Sequence, residues 1–176
     1  MGKMTRGNSM FAKWPASRNK ARPRYPRHSD CYLVEFPKSG ITWLSILLGN
    51  ACLIESGRKE RATFASVNRI VPDVHHDPSF GDLPYDRPGH RLIKSHSIHD
   101  ETYHYVIYLV RHPLEVMKSY YKFSQGFEGE GDVGFERFLE NEKKGIPAWR
   151  RHVNSWLARD PGPNRILAVR YEDLLQ

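Results

Sequence analysis

The 176 residues suffice for one domain with a real core, and a hydrophobic share of 39% is low for a globular chain but well above that of a disordered one. The formal charge of +7 invites a nucleic-acid reading. However, residues 1–29 hold eight Lys or Arg and no acid, so the other nineteen basic residues face twenty acids and the remainder is nearly neutral. No run of about 20 apolar residues supports a membrane span or secretory signal, and Cys31 and Cys52 have the spacing of neither a disulfide framework nor a metal site.

These limits predict a cytoplasmic protein with a basic, disordered tail over 1–29 and one domain over 30–176. The tail contains Pro15, Pro23 and Pro26 with little apolar periodicity. Its Arg-rich, acid-free start is similar to an organelle transit peptide but lacks an amphipathic stripe. Nucleic acid is expected to bind, if at all, only through this tail.

In chain order, residues 31–36 (CYLVEF) predict a buried strand, and residues 42–55 predict a helix with Trp43, Leu44, Leu47, Leu48, Ala51 and Leu53 or Ile54 mostly on one face. Between them, Pro37-Lys38-Ser39-Gly40 turns a strand straight into a helix start, where unpaired N–H groups and the macrodipole favour an anion. Residues 56–89 turn polar and rich in Pro, Gly and Asp, with Phe64, Val67, Ile70 and Val71 as apolar anchors; this predicts an irregular, surface-facing segment of the kind that lines substrate sites. Residues 90–95 are a weaker strand candidate ending at His96, and residues 103–110 (YHYVIYLV) predict a central, parallel strand. Pro113 opens the next predicted helix, over 114–123; further helices are expected over 135–143 and 148–159, a last strand over 165–170, and the start of a helix at Tyr171.

Strands alternating with helices define an α/β domain with a mainly parallel sheet flanked by helices. Ligands bind such sheets at the carboxyl ends of the strands. That rule gathers Lys38 to Trp43, Lys94 to His96, Arg111 to Ser119, and Tyr171: a cationic set with one well-placed histidine. The loop is not a Walker loop, because Lys38 precedes Gly40 and Ile41 follows it, and no magnesium carboxylate follows a later strand. His28, His75, His76, His99, His104, His112 and His152 show no ligand spacing.

At these positions the chain resembles the cytosolic sulfotransferases. Pro37-Lys38-Ser39-Gly40-Ile41-Thr42-Trp43 is similar to their 5′-phosphosulfate loop, usually Pro-Lys-Ser-Gly-Thr-Thr-Trp. The segment from Tyr108 through Arg111 to Ser119 and Phe123 resembles their 3′-phosphate segment, with the same eight-residue step from arginine to serine. Lys94-Ser95-His96 resembles the Lys-Thr-His that carries the catalytic histidine, and Tyr171-Glu172-Asp173-Leu174 matches a further block.

The resemblance implies a P-loop-like sulfotransferase fold and 3′-phosphoadenosine 5′-phosphosulfate (PAPS) as sulfuryl donor without a metal. The acceptor would be a small molecule or glycan bearing a hydroxyl or amine. It assigns His96 as general base, Lys38 to the bridging oxygen of the leaving 5′-phosphate, and Lys94 to the sulfuryl group. Ser39, Gly40, Ile41 and Thr42 would hold the 5′-phosphate through their N–H groups, with Arg111 and Ser119 on the 3′-phosphate. Trp43 would stack on adenine and Tyr171 would contact the base, although either side chain could instead pack in the core.

Two departures stand out. Ile41 replaces a hydroxyl residue of the usual loop while leaving its backbone N–H in place. The sequence stops at Gln176, before the Arg-Lys-Gly segment and the Gly-rich closing region that the family carries, so the domain is expected to be short at its C-terminus. A homodimer is one way to cover an open edge. The alternative reading is a catalytically deficient nucleotide-binding or protein-interaction module on the same fold.

Overall fold

The computed structural model describes residues 23, 26–75, 91–127, 134–158 and 162–175. Most of the basic tail, and residues 76–90 of the polar segment, lie outside the described residues. The elements are β1 (Cys31–Glu35), α1 (Ile41–Glu55), β2 (Leu92–Ser95), β3 (Tyr105–Val110), α2 (Pro113–Phe127), α3 (Phe135–Leu139), α4 (Ile146–Leu157) and β4 (Arg165–Arg170), with 3-10 turns at Val67–Arg69 and Tyr171–Leu175. The predicted final helix is thus a 3-10 turn.

The four strands form one all-parallel sheet in the order β2-β1-β3-β4. Strands β1, β2 and β3 are covered on both faces, as parallel sheets require, whereas β4 at the edge buries none of its residues. Because side chains alternate along a strand, Tyr32 and Val34 join Ile93, Val106, Tyr108 and Trp156 on one face. Leu33 joins Ile41, Val67 and Val71 on the other. Glu35 and Lys94 share that second face, since Leu33 pairs with Lys94 in register. A third cluster, of Phe36, Val116, Met117, Tyr120 and Phe138, seats α2 and α3 beside the end of β1.

The helix after the loop turns a different face inward from the one its periodicity suggests. Ile41, Leu44, Ser45, Gly49 and Leu53 are buried, whereas Trp43, Leu47 and Ile54 are exposed. Apolar residues surround this helix, so pattern alone could not choose its buried side. The buried side is the one that packs on Ala62, Ile70 and Val71, which a Cβ on Gly49 would meet at ordinary contact distances of 3.4 to 3.6 Å. Phe64 is also exposed and is not an anchor, while Val67 and Val71 are. The strand β3 is central as predicted, between β1 and β4.

Candidate active site at the carboxyl edge of the sheet

The turn after β1 is held in an uncommon backbone conformation. Lys38 has φ 74° and Gly40 φ 112°, both in the left-handed region that costs a non-glycine residue about 1 kcal/mol or more. The Ser39 hydroxyl donates to the Phe36 carbonyl at 2.8 Å, closing the turn. Helix α1 then starts without a side-chain cap from Gly40. Its first N–H is instead met from below, because Ile41 donates to Oε2 of Glu35 at 2.7 Å. The N–H of Ile41 is therefore already engaged, as is that of Ser39, which donates to the Phe36 carbonyl at 3.2 Å, a correction to the expectation that both stand open to phosphate. No hydrogen bond from the N–H groups of Gly40 or Thr42 is found among the described residues, so these two donors fit an incoming anion.

Glu35 is 2% exposed, and burial pushes its carboxyl up to about 8 against the pull of Ile41, Lys38 and Lys94. Its Oε1 lies 3.8 Å from Nδ1 of His96, while Oδ2 of Asp73 lies 3.9 Å from Nε2 of the same ring. Asp73 reaches this place because it forms a parallel bridge with Lys94 beside β2. Lys94, 5% exposed, sends its ammonium to Oδ1 of Asn68 at 2.5 Å. Burial lowers its pKa, opposed by the charges of Asp73 and Glu35.

Burial also holds His96 well below the usual histidine range, helped by its neighbours His75, Lys94 and His152 and opposed by a hydrogen bond with the Glu35 backbone. A neutral imidazole at pH 7 is the form able to take a proton. Two further histidines fix its main chain. The His96 N–H donates to Nε2 of His75 at 3.0 Å, and the His96 carbonyl pairs with Nε2 of His152 at 3.1 Å. A carbonyl only accepts, so Nε2 of His152 carries the proton and Nδ1 takes the hydroxyl of Tyr108 at 2.8 Å. Burial lowers His152 to about 4, consistent with this neutral state.

The other half of the expected site lies beyond β3 and β4. The Arg111 guanidinium sits 4.4 Å from the centre of the Tyr171 ring, a cation–π distance, and a Cβ on Gly40 would lie 2.5 Å from two carbons of that ring. Tyr171 thus packs between the loop and Arg111 rather than in a core cluster. Glu172 accepts the His112 N–H at 2.9 Å and ties the same turn to the end of β3. The Lys38 ammonium lies 4.0 Å over the ring of Phe123, joining the loop to α2. Ser119 is half-buried on α2. Trp43 is 61% exposed, which excludes a core role.

The structure therefore brings Lys38, Lys94, His96, Arg111 and Tyr171 to one edge of the sheet. It also adds Glu35, Asp73, Asn68, His75 and His152, none of which sequence reasoning selected. Glu35 had a signal, being the one acid inside an apolar strand run directly before an anion loop. Asp73, His75 and His152 had none, because they meet His96 only through the fold. No cluster of three or more metal-ligating side chains occurs among the described residues.

A parallel α/β sheet with a glycine loop after its first strand, and cations and a largely buried histidine at its carboxyl edge, defines a P-loop-like domain. The chain belongs to the sulfotransferase domain family, whose model matches residues 28–176. It is 30% identical over 162 residues to sulfotransferase 1A1 of Rattus norvegicus, covering 82% of this chain and 54% of that protein. It is 25% identical over 169 residues to cytosolic sulfotransferase 8 of Arabidopsis thaliana, covering 85% and 50%. The chain thus spans about half the length of these relatives. Its fold is similar to that of mouse sulfotransferase SULT7A1 in complex with PAP, with a TM-score of 0.57 and 24% identity over 85% of this chain and 54% of that one. A retinol dehydratase in complex with retinol and PAP has a TM-score of 0.54 and 17% identity over 86% and 57%. No described helix is long and apolar enough to cross a membrane.

Proposed function

We propose that this chain carries the donor-binding and proton-accepting half of a PAPS-dependent sulfotransferase that transfers a sulfuryl group to a hydroxyl or amine of a small-molecule or glycan acceptor. The observation that carries the reading is the geometry of His96, its side chain 9% exposed, held at both its backbone groups and set beside Glu35 and Asp73 at the end of β2. In this role His96 takes the acceptor proton as the acceptor oxygen or nitrogen bonds to sulfur. Lys38 and the N–H groups of Gly40 and Thr42 steady the bridging oxygen and 5′-phosphate as the sulfur–oxygen bond breaks. Lys94 adds charge beside the sulfuryl oxygens. Arg111, with Ser119, meets the 3′-phosphate, each charge-assisted bond contributing roughly 1.5 to 3 kcal/mol. The exposed Trp43 is available to stack on adenine, and Tyr171 closes the gap between the two phosphate sites. The name of a cytosolic relative favours a cytoplasmic setting.

Transfer of labelled sulfate from PAPS to a panel of phenols, steroids, amines and glycans tests the reaction. Calorimetry with adenosine 3′,5′-bisphosphate (PAP) tests the site beneath it. Arg111→Ala is expected to weaken PAP by about 10- to 150-fold, the equivalent of one charge-assisted contact. A second reading, a nucleotide-binding or interaction module without turnover, is favoured by the engagement of the Ile41 N–H by Glu35. Arg111-dependent PAP binding without transfer to any acceptor supports that reading, and no binding at millimolar PAP excludes nucleotide from both.

A further inference from the structure

The loop proposed to hold the 5′-phosphate rests on an acid. Glu35 accepts the N–H of Ile41 at 2.7 Å and a second hydrogen bond from the Lys38 backbone. Its carboxyl thus occupies from beneath the kind of backbone donors an anion loop offers to its ligand. A phosphate meeting the remaining donors at Gly40 and Thr42 arrives next to this buried carboxyl. If ionised, the carboxyl opposes a second anion with little water to screen the repulsion. If protonated, it adds no charge and still accepts an N–H through its carbonyl oxygen.

We propose that Glu35 is a positioning residue that shapes the donor loop and couples loading of the anionic nucleotide to the protonation of its own carboxyl. The inference rests on the PAPS reading above and goes beyond it, since it assigns a role to a residue outside the loop motif. The groups facing Glu35 are Lys38 from the loop, Lys94 from β2, His96 beyond β2 and Tyr108 from β3. Burial raises Tyr108, so it stays neutral, and lowers His96, so it is neutral above pH 7. Lys94 is a competing source of a pH slope, because burial also lowers its pKa and its charge attracts the ligand. Burial places the Glu35 carboxyl near 8, so the coupling falls within a measurable window.

PAP is the probe, because a phosphate monoester with a second pKa near 6 is fully ionised above pH 8. Calorimetry from pH 7 to 10, in buffers of differing ionisation heat, is expected to show PAP affinity falling by up to about tenfold per pH unit above pH 8. Each binding event should take up a proton there. Glu35→Gln should bind with a flat profile and no proton uptake over the same range, and Lys94→Met should keep the slope. A slope that Glu35→Gln retains, or that Lys94→Met abolishes, overturns the assignment while leaving the transferase reading intact. Absence of PAP binding to the unaltered chain at every pH overturns both. The carbon-13 shift of the Glu35 carboxyl in the unaltered chain gives a readout independent of any variant. PAP should move its titration midpoint upward, and an unmoved midpoint refutes the coupling.

Discussion

The two halves of the carboxyl edge are built in opposite ways. Around His96, the side chains of Glu35, Lys94 and His96 itself are less than a tenth exposed and meet Asp73, Asn68 and each other within a packed face of the sheet. Around Arg111 the groups lie near solvent, on the side of the exposed strand β4, whose Leu167 is 59% exposed. The first half is thus set in advance by burial, whereas the second depends on one aromatic ring, Tyr171, between Gly40 and Arg111. The side proposed for proton chemistry is dehydrated, which shifts its pKa values, and the side proposed for the 3′-phosphate keeps its cation near water.

The largest effect should come from the buried half. His96→Ala is expected to lower the transfer rate by about 10²- to 10⁴-fold, the usual contribution of a positioned general base, with PAP affinity changed less than about threefold. Equal losses in rate and affinity would show that His96 serves the fold rather than the proton.

Gly40→Ala tests the joint between the halves. Its φ of 112° costs an alanine about 1–3 kcal/mol, and the new Cβ meets the Tyr171 ring at 2.5 Å. Urea denaturation should show both losses in the single variant. Adding Tyr171→Ala should recover the steric part and leave the backbone part; strict additivity of the two changes would mean that the ring does not bear on the loop.

His152 probes the buried half by pH. Its unfolded value is near 6.5 and its folded value about 4, so the unfolded state holds more protons between them and stability falls as pH drops through that window. His152→Gln can still meet the Tyr108 hydroxyl and does not charge. Relative to the unaltered chain it should gain on the order of 3 kcal/mol between pH 6.5 and 4, read from urea midpoints. A constant difference across the window would place the histidine in another protonation state. At the small end, Arg58→Ala removes a solvent-exposed partner of Glu60 and should change stability by less than about 0.5 kcal/mol.

Much of the fold is legible in the chain because local physics sets it. The apolar run of β3 marks a central parallel strand, Pro113 opens α2, and the Pro37–Gly40 turn marks the anion loop. Lys38, His96, Arg111 and Tyr171 follow strands and Lys94 lies near the end of β2, places that depend on chain order alone. The buried side of α1 was not legible, since apolar residues occur all round it and the buried side is set by what packs against it, Ala62, Ile70 and Val71 beside Gly49.

What the sequence determined by itself is the set of reactive ends: which residues follow each strand, and that a parallel sheet carries them to one edge. What only the tertiary structure decided is the state of those residues. Glu35 is one acid in a strand until the fold buries it beneath the loop, and His96 is one of nine histidines until Asp73, His75 and His152 close around it. The physical reason is that protonation depends on dehydration and on neighbours distant in sequence, and neither is a property of the local chain.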